Sequence, residues 1–92
     1  MGFVYILASK RNGTLYTGVT SDLQKRVYEH KAKLVKGFTS QYDVNMLVYY
    51  AQYGSVVEAI EGEGKIKNMH RKRKLRLIEA FNPTWRDLYY EL

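Results

Sequence analysis

Residues 2–20 read GFVYILASKRNGTLYTGVT, and they predict a β-hairpin at the start of the chain. Residues 3–9 and 14–20 are rich in β-branched and aromatic side chains, which favour strands. Asn12 and Gly13 stand between them and are a strong signal for a tight hairpin turn. We therefore expect a strand, a turn and a second strand in this order.

The predicted hairpin also assigns side chains to faces. Because side chains alternate along a strand, pairing through a loop of even length places Tyr5 on the same face as Tyr16 and Gly18. The opposite face is almost entirely apolar and is predicted to cover the core: it carries Val4, Ile6, Ala8, Leu15, Thr17 and Val19. A tyrosine pair on a strand often has a packing role only, whereas Gly18 would let a backbone or a phosphate approach closely. The sequence leaves both interpretations open.

A helix is predicted after the hairpin, from Asp22 to about Leu34. Ser21 and Gln24 have the spacing of a capping box, in which the two side chains satisfy free backbone N–H groups at a helix start. The apolar stripe of this helix is formed by Leu23, Val27 and Leu34.

Three further elements are predicted in the remainder of the chain. Residues 45–53 form an apolar and aromatic run typical of a buried strand, at the centre of the sheet or at a covered edge. Helices are predicted at 56–69, after a second capping-box pattern, and at 71–81, whereas residues 35–43 are predicted to form a loop. An apolar patch near the C-terminus is predicted to dock on the rest of the domain and consists of Trp85, Leu88 and Tyr89.

A chain of 92 residues has room for one core. We therefore predict a single α/β (α+β) domain over 1–92, with a three-stranded antiparallel sheet flanked by helices.

Three polar side chains fall on faces that are predicted to point inward. Arg26 and His30 lie one helical turn apart, on or beside the apolar stripe of the first helix, and Glu63 lies in the stripe of the helix at 56–69. An inward carboxylate requires a cation or hydrogen-bond donors nearby, so we expect Glu63 to bind a metal or substrate, or to form a salt bridge with Arg26. Gly62 and Gly64 flank it and cost about 1 kcal/mol each relative to alanine, which predicts a loosened helix.

The charge of the chain favours a polyanionic partner. There are 15 Lys and Arg residues against 9 Asp and Glu, giving a net charge of +6. The candidate nucleic-acid contacts are Lys36, Thr39, Lys65, Lys67, Arg71, Lys72, Arg73 and Lys74, with ordinary solvated surface as the alternative.

The absence of cysteine excludes disulfides and Cys-based zinc sites, so that a bound metal would have oxygen ligands. No apolar run approaches the roughly 18 residues of a membrane span, which predicts a cytoplasmic protein without membrane contact.

The order and spacing of these residues resemble the GIY-YIG nuclease family. The matching positions are Val4 and Tyr5 for the first motif, Tyr16 and Gly18 for the second, Arg26 for the helical arginine and Glu63 for the metal-binding glutamate. His30 matches a position that the family fills with His or Tyr, and Asn82 matches a late asparagine. Phe3 and Thr17 replace the glycine of the first motif and the isoleucine of the second. The stretch from Tyr16 to His30 is similar to the small single-domain bacterial branch, the UPF0213-like proteins.

The resemblance implies a GIY-YIG endonuclease-like fold and an enzyme that uses Mg²⁺ or Mn²⁺ to hydrolyse phosphodiester bonds in DNA, in preference to RNA, or in structured nucleic acid, in repair or recombination. The catalytic residues it implies are Tyr5, Tyr16, Arg26, His30 and Glu63, with Glu63 as the metal ligand and one tyrosine as the general base. We also expect a monomer or weak homodimer, which is either structure-selective and loosely specific or directed to its substrate by a targeting protein. The alternative is a non-catalytic nucleic-acid-binding or accessory protein that keeps the fold.

Overall fold

The computed structural model describes residues 1–92 and contains a three-stranded antiparallel sheet flanked by helices, as predicted. The strands are β1 (Gly2–Ala8), β2 (Leu15–Thr20) and β3 (Met46–Tyr53), and the helices are α1 (Leu23–Lys31), α2 (Phe38–Gln41), α3 (Val56–Lys67) and α4 (Arg71–Phe81), followed by a short 3₁₀ helix (Leu88–Glu91). The strand order is β2-β1-β3. The third strand therefore lies at an edge, and β1 is the centre of the sheet.

The hairpin forms with the predicted register. Tyr5 pairs with Gly18, and Leu7 pairs with Tyr16, so both tyrosines lie on one face. The Ser9 N–H donates to the Thr14 carbonyl at 3.0 Å and closes a four-residue loop. Asn12 occupies the left-handed region in this loop, with φ of 57°, which asparagine tolerates better than most residues.

Both faces of β1 are buried, whereas the sequence predicted one core face and one more polar face. One apolar cluster contains Val4, Ile6, Ala8, Val48, Ala59, Ile66, Ile78 and Trp85. The other contains Tyr5, Leu7, Leu23, Val27, Val44, Leu47 and Leu88. The prediction was wrong on this point because a central strand is covered twice: α3 and α4 pack on the first face, and α1 packs on the second.

Helix α1 differs from its prediction at both ends. Asp22, not Ser21, is its N-cap, since the Asp22 carboxylate accepts the Lys25 N–H at 3.2 Å. The helix stops at Lys31, and Lys33 adopts a positive φ of 57° just beyond it. Leu34 therefore lies outside the helix and is 65% exposed, so its predicted place in the apolar stripe was wrong.

Helix α3 is capped by Ser55, as predicted. Ala59 and Ile66 of its predicted stripe are buried against the sheet. Val56 and Ile60 are instead exposed, because only a narrow strip of the helix surface is covered.

The C-terminal segment passes the edge of the sheet formed by β3 and contributes side chains to both apolar clusters. Trp85 belongs to the first cluster and Leu88 to the second, so the predicted apolar patch is part of the interior. Asp87, between them, forms an ion pair with Lys31 and accepts the Leu47 N–H at 3.1 Å. This segment therefore joins α1 to β3.

Candidate active site

Three aromatic rings form the centre of the site. Tyr5 and Tyr16 come from the hairpin, and His30 comes from the last turn of α1. The ring centroids are 6.3 Å apart for the two tyrosines, 5.8 Å for Tyr5 and His30, and 5.5 Å for Tyr16 and His30. Tyr5 and His30 are each 1% exposed, whereas Tyr16 is half-buried.

The Tyr5 hydroxyl is fixed from several sides. It lies 3.0 Å from Nε2 of His30. The Arg26 guanidinium lies beside it and interacts with it, although the guanidinium's well-defined hydrogen bond is to Glu29 at 3.3 Å. A Cβ atom at Gly18 would lie only 2.4 Å from the Tyr5 hydroxyl oxygen. The missing side chain of Gly18 thus leaves space, as predicted. The phenol of Tyr5, and not a phosphate, occupies this space.

The surroundings keep Tyr5 and His30 uncharged at neutral pH. Burial raises the pKa of Tyr5 to about 12, and the neighbouring Arg26 offsets only part of this effect. Burial, reinforced by the positive charge of Arg26, lowers the pKa of His30 to about 4. A neutral imidazole has one N–H and one nitrogen lone pair, so it can donate on one side and accept on the other.

The second ring nitrogen of His30 also has a buried partner. Its Nδ1 lies 3.0 Å from the Thr39 hydroxyl in α2. Thr39 is buried, so its predicted role as a phosphate contact was wrong. No sequence signal indicates its actual position, because residues 35–43 have no periodicity that points Thr39 towards His30. Lys36 is exposed, and its contact with nucleic acid stays a prediction.

Arg26 faces a polar cleft whose lining does not include Tyr5, Tyr16 or His30. Its side chain is 37% exposed and pairs with Glu29. The cleft has a volume of about 310 Å³ and is lined by Val19, Thr20, Ser21, Asp22, Lys25, Arg26 and Glu29. The guanidinium therefore has both a buried neighbour, Tyr5, and an open side.

Glu63 lies on the inner side of α3, as predicted. Its side chain is 17% exposed, and its one ion pair, to Lys67, is long at 3.6 Å. The predicted alternative, a salt bridge to Arg26, is absent. The carboxylate is close enough to Tyr5 for its charge to raise the pKa of the phenol. The charge of Glu63 therefore acts on Tyr5.

A metal at this site would have few protein ligands. The structure contains no group of three or more His, Asp or Glu side chains that could hold an ion. A shielded carboxylate with only a distant lysine as partner nevertheless suits Mg²⁺, which is often bound through one or two carboxylates and keeps several waters. Glu63 is the residue that fits this role.

The glycines beside Glu63 have different surroundings. At Gly62 a Cβ atom would lie 2.4 Å from the Tyr53 hydroxyl, so the packing of this tyrosine requires glycine there. At Gly64 a Cβ atom would meet nothing within 4 Å. Helix α3 continues through both positions to Lys67.

The predicted basic residues divide into free and engaged side chains. Lys65, Lys72 and Arg73 are exposed and form no ion pair, and Lys74 is half-buried. Arg71 instead donates to the Asn12 and Gly13 carbonyls at 2.7 Å each, and thereby attaches α4 to the hairpin loop. Lys67 is the partner of Glu63.

Asn82 has a structural position and does not join the aromatic cluster. It is buried, and its side-chain amide donates to the Val48 carbonyl at 3.2 Å and to the Arg86 carbonyl at 2.8 Å. Its side-chain oxygen accepts the Arg86 N–H at 3.3 Å. These bonds hold β3 and the C-terminal segment together near a register shift in the sheet, opposite Ile6 and Leu7.

The fold and the aromatic cluster can now be compared with known proteins. The sequence model of the GIY-YIG catalytic domain matches residues 1–76. The chain belongs to the GIY-YIG family. This confirms the resemblance inferred from the motifs, and all five predicted catalytic residues lie within the matched stretch, whereas Asn82 lies beyond it.

Similar proteins include bacterial proteins named UPF0213. A UPF0213 protein of Staphylococcus haemolyticus is 36% identical over 77 residues, which cover 84% of this chain and 93% of that protein. A UPF0213 protein of Staphylococcus aureus is 38% identical over the same shares of the two chains. The solution NMR structure of a UPF0213 protein from Bacillus halodurans aligns with a TM-score of 0.58 at 27% identity, covering 95% of this chain and 93% of that one.

Membership of the GIY-YIG family carries a general functional meaning. The family belongs to a nuclease superfamily whose members act on nucleic acids and generally depend on a metal ion.

As to membranes, none of the helices combines the length and the apolar character needed to cross a bilayer.

Proposed function

We propose that this GIY-YIG protein is an endonuclease that uses Mg²⁺, or Mn²⁺, to hydrolyse phosphodiester bonds in DNA or structured nucleic acid. The observation that carries the proposal is the Tyr5 hydroxyl, held 3.0 Å from the neutral His30 imidazole and beside Arg26. A phenol in hydrogen-bond contact with a proton acceptor and a permanent cation has the components of an assisted general base.

Tyr5 is proposed as the general base in preference to Tyr16. Its raised pKa makes the neutral phenol a weak acid, but makes the phenolate a strong base once the proton leaves. As water attacks the phosphorus, the water proton moves to the Tyr5 oxygen while the Tyr5 proton passes to Nε2 of His30. Arg26 stabilises the negative charge that develops on the phenol oxygen. The half-buried Tyr16 borders the same space and helps to orient the water.

Arg26 is proposed to bind the scissile phosphate on its open side. Its planar fork of donors matches phosphate geometry, and the adjoining cleft of about 310 Å³ can admit a phosphate group. Glu63 would hold the metal ion, which when bound neutralises charge on the phosphoryl group and the departing 3′ oxygen. Lys65, Lys72 and Arg73 are exposed cations that would contact the nucleic-acid backbone. A targeting protein would supply the sequence or structure specificity.

The decisive test is nicking of supercoiled plasmid DNA in the presence of Mg²⁺ or EDTA. We expect the wild-type protein to convert the plasmid to the open-circular form with Mg²⁺ only. Glu63→Gln should abolish nicking, since the amide loses the charge that binds the cation. Glu61→Gln is the matched control, because Glu61 is an exposed carboxylate on the same helix and should leave nicking unchanged. Binding of the plasmid without metal-dependent nicking by the wild-type protein would favour the non-catalytic alternative.

A further inference from the structure

Tyr5, His30 and Thr39 form a continuous buried chain of hydrogen bonds. The Tyr5 hydroxyl lies 3.0 Å from Nε2 of His30, and Nδ1 of the same ring lies 3.0 Å from the Thr39 hydroxyl. All three residues are buried. No other hydrogen bond to the His30 ring is present, so Tyr5 and Thr39 alone satisfy its two nitrogens.

The direction of the hydrogen bonds follows from Arg26. Arg26 places a permanent positive charge beside Tyr5, which favours a phenol whose oxygen faces the guanidinium and whose proton points away from it. The Tyr5 proton is then available for Nε2, which must present its lone pair. In a neutral imidazole the remaining N–H is at Nδ1, and it donates to Thr39. Each group in the hydrogen-bond chain then donates to the next, from Tyr5 through His30 to Thr39, and such chains strengthen one another.

Thr39 is held in place independently of His30. Its backbone carbonyl accepts the Val44 N–H at 2.9 Å, and Val44 is fully buried in the second apolar cluster. The short helix α2 therefore presents the Thr39 hydroxyl to His30 from a fixed position.

From this arrangement we propose that Thr39 is a positioning residue for the hydrolytic reaction: its hydroxyl accepts the Nδ1 proton of His30 and thereby keeps the Nε2 lone pair directed at Tyr5. The proposal rests on the nuclease function proposed above. In the reaction a bond forms between the water oxygen and phosphorus, the bond from phosphorus to the 3′ oxygen breaks with its electron pair, and the 3′ alkoxide takes a proton from solvent water. The water proton moves to Tyr5, and the Tyr5 proton moves to Nε2. The resulting imidazolium donates from both nitrogens, and Thr39 remains the acceptor for Nδ1.

The test that does not depend on activity is NMR of the His30 ring in uniformly ¹⁵N-labelled protein at neutral pH. The two ring nitrogens have distinct chemical shifts, which identify the protonated one. We expect the wild-type protein to carry the proton on Nδ1. A proton on Nε2 would overturn the proposal, whether or not the protein cuts DNA. If the wild-type protein instead fails to nick the plasmid but has the Nδ1 proton, the hydrogen-bond arrangement stands and the nuclease function fails.

The test of the catalytic consequence compares two substitutions. Thr39→Ser retains the hydroxyl, whereas Thr39→Val keeps the size and shape but removes the acceptor. We expect Thr39→Val to lower kcat by about 10- to 100-fold, the loss typical for hydrogen-bond partners of metal-binding histidines, with little change in KM. It should also shift part of the His30 population to the Nε2 proton. Thr39→Ser should restore both the rate and the spectrum.

A purely structural role for Thr39 predicts a different result. Thr39→Val would then reduce thermal stability while the folded fraction kept the wild-type kcat and the wild-type His30 spectrum. That result, or an equal loss of kcat in Thr39→Ser, would overturn the proposal. Should Thr39→Val fail to fold, the wild-type spectrum and the rate of Thr39→Ser still decide it.

Discussion

At the residue scale, the site depends on a glycine that lets an aromatic ring pack against the neighbouring strand. Tyr5 and Gly18 are paired residues on adjacent strands, and the phenol extends over the position where a Gly18 side chain would be. The family motif therefore has a local physical reason. A side chain at residue 18 and the observed position of Tyr5 exclude each other.

We expect Gly18→Ala to displace the Tyr5 ring, because the new Cβ would lie 2.4 Å from the hydroxyl oxygen. Plasmid nicking should fall by about 100-fold, as for a misplacement of about 1 Å at a catalytic group. Stability should fall by about 1–3 kcal/mol through overpacking, as measured by urea unfolding. In the double variant Tyr5→Ala/Gly18→Ala the Gly18→Ala stability loss should largely disappear, since the clash is gone. Simple additivity of the two stability losses would contradict this account.

His30 makes stability depend on pH in a defined direction. Its pKa is lowered to about 4 in the folded protein, compared with about 6.5 in an unfolded chain. The unfolded state therefore binds the proton first, and the contribution of the neutral ring is present above pH 6.5 and is lost as the pH falls towards 4. The loss is about 3 kcal/mol over this window.

Urea unfolding at intervals between pH 7 and pH 4 measures this dependence. We expect the wild-type free energy of unfolding to fall across the window, and His30→Gln to remove most of that part of the slope. The control is His70→Gln, because His70 is the second histidine of the chain and is exposed. An unchanged slope in His30→Gln would show that His30 remains accessible to protons in the folded state.

At the element scale, α3 places Glu63 with two glycines that have opposite roles. Gly62 is buried beneath the Tyr53 hydroxyl, whereas Gly64 has free space around it. The sequence suggested that both glycines loosen the helix. The structure separates them, because one makes room for a tertiary contact and the other does not.

We expect Gly62→Ala to destabilise the protein by about 1–3 kcal/mol, since the new methyl group would overlap Tyr53. Gly64→Ala should stabilise it by up to about 1 kcal/mol, because alanine costs less than glycine in a helix. Urea unfolding midpoints of the two variants measure both effects. A loss of stability in Gly64→Ala equal to that in Gly62→Ala would contradict the distinction.

At the scale of the whole molecule, the C-terminal segment holds the two sides of the sheet together. Asp87 joins Lys31 of α1 to the backbone of β3, and its neighbours Trp85 and Leu88 enter opposite cores. The last turn of α1, which carries His30, is thereby fixed to the sheet.

Asp87→Ala should destabilise the protein by about 3–5 kcal/mol, because Lys31 is largely buried and would lose its charge partner. Thermal or urea unfolding measures the effect. Glu91→Gln is the control, since its pair with Arg86 is exposed and should be worth about 1 kcal/mol or less. Equal effects of the two substitutions would mean that the buried pair does not join the elements as described.

The sequence determined the local features of the protein. The strand residues, the Asn12 and Gly13 turn and the even loop were enough to place Tyr5 and Tyr16 on one face. Helical periodicity placed Glu63 and His30 on inward faces. These predictions succeeded because pairing register and helix faces depend on residues only a few positions apart.

Only the tertiary structure decided which distant groups meet. Thr39 joined the site, and Arg71 bound the loop carbonyls of Asn12 and Gly13 across 59 and 58 positions, although neither contact has a sequence signal. The burial of both faces of β1 was likewise missed, because it depends on the strand order β2-β1-β3. Contacts of this kind arise from how whole elements pack, and the local alternation of apolar and polar residues carries no information about that packing.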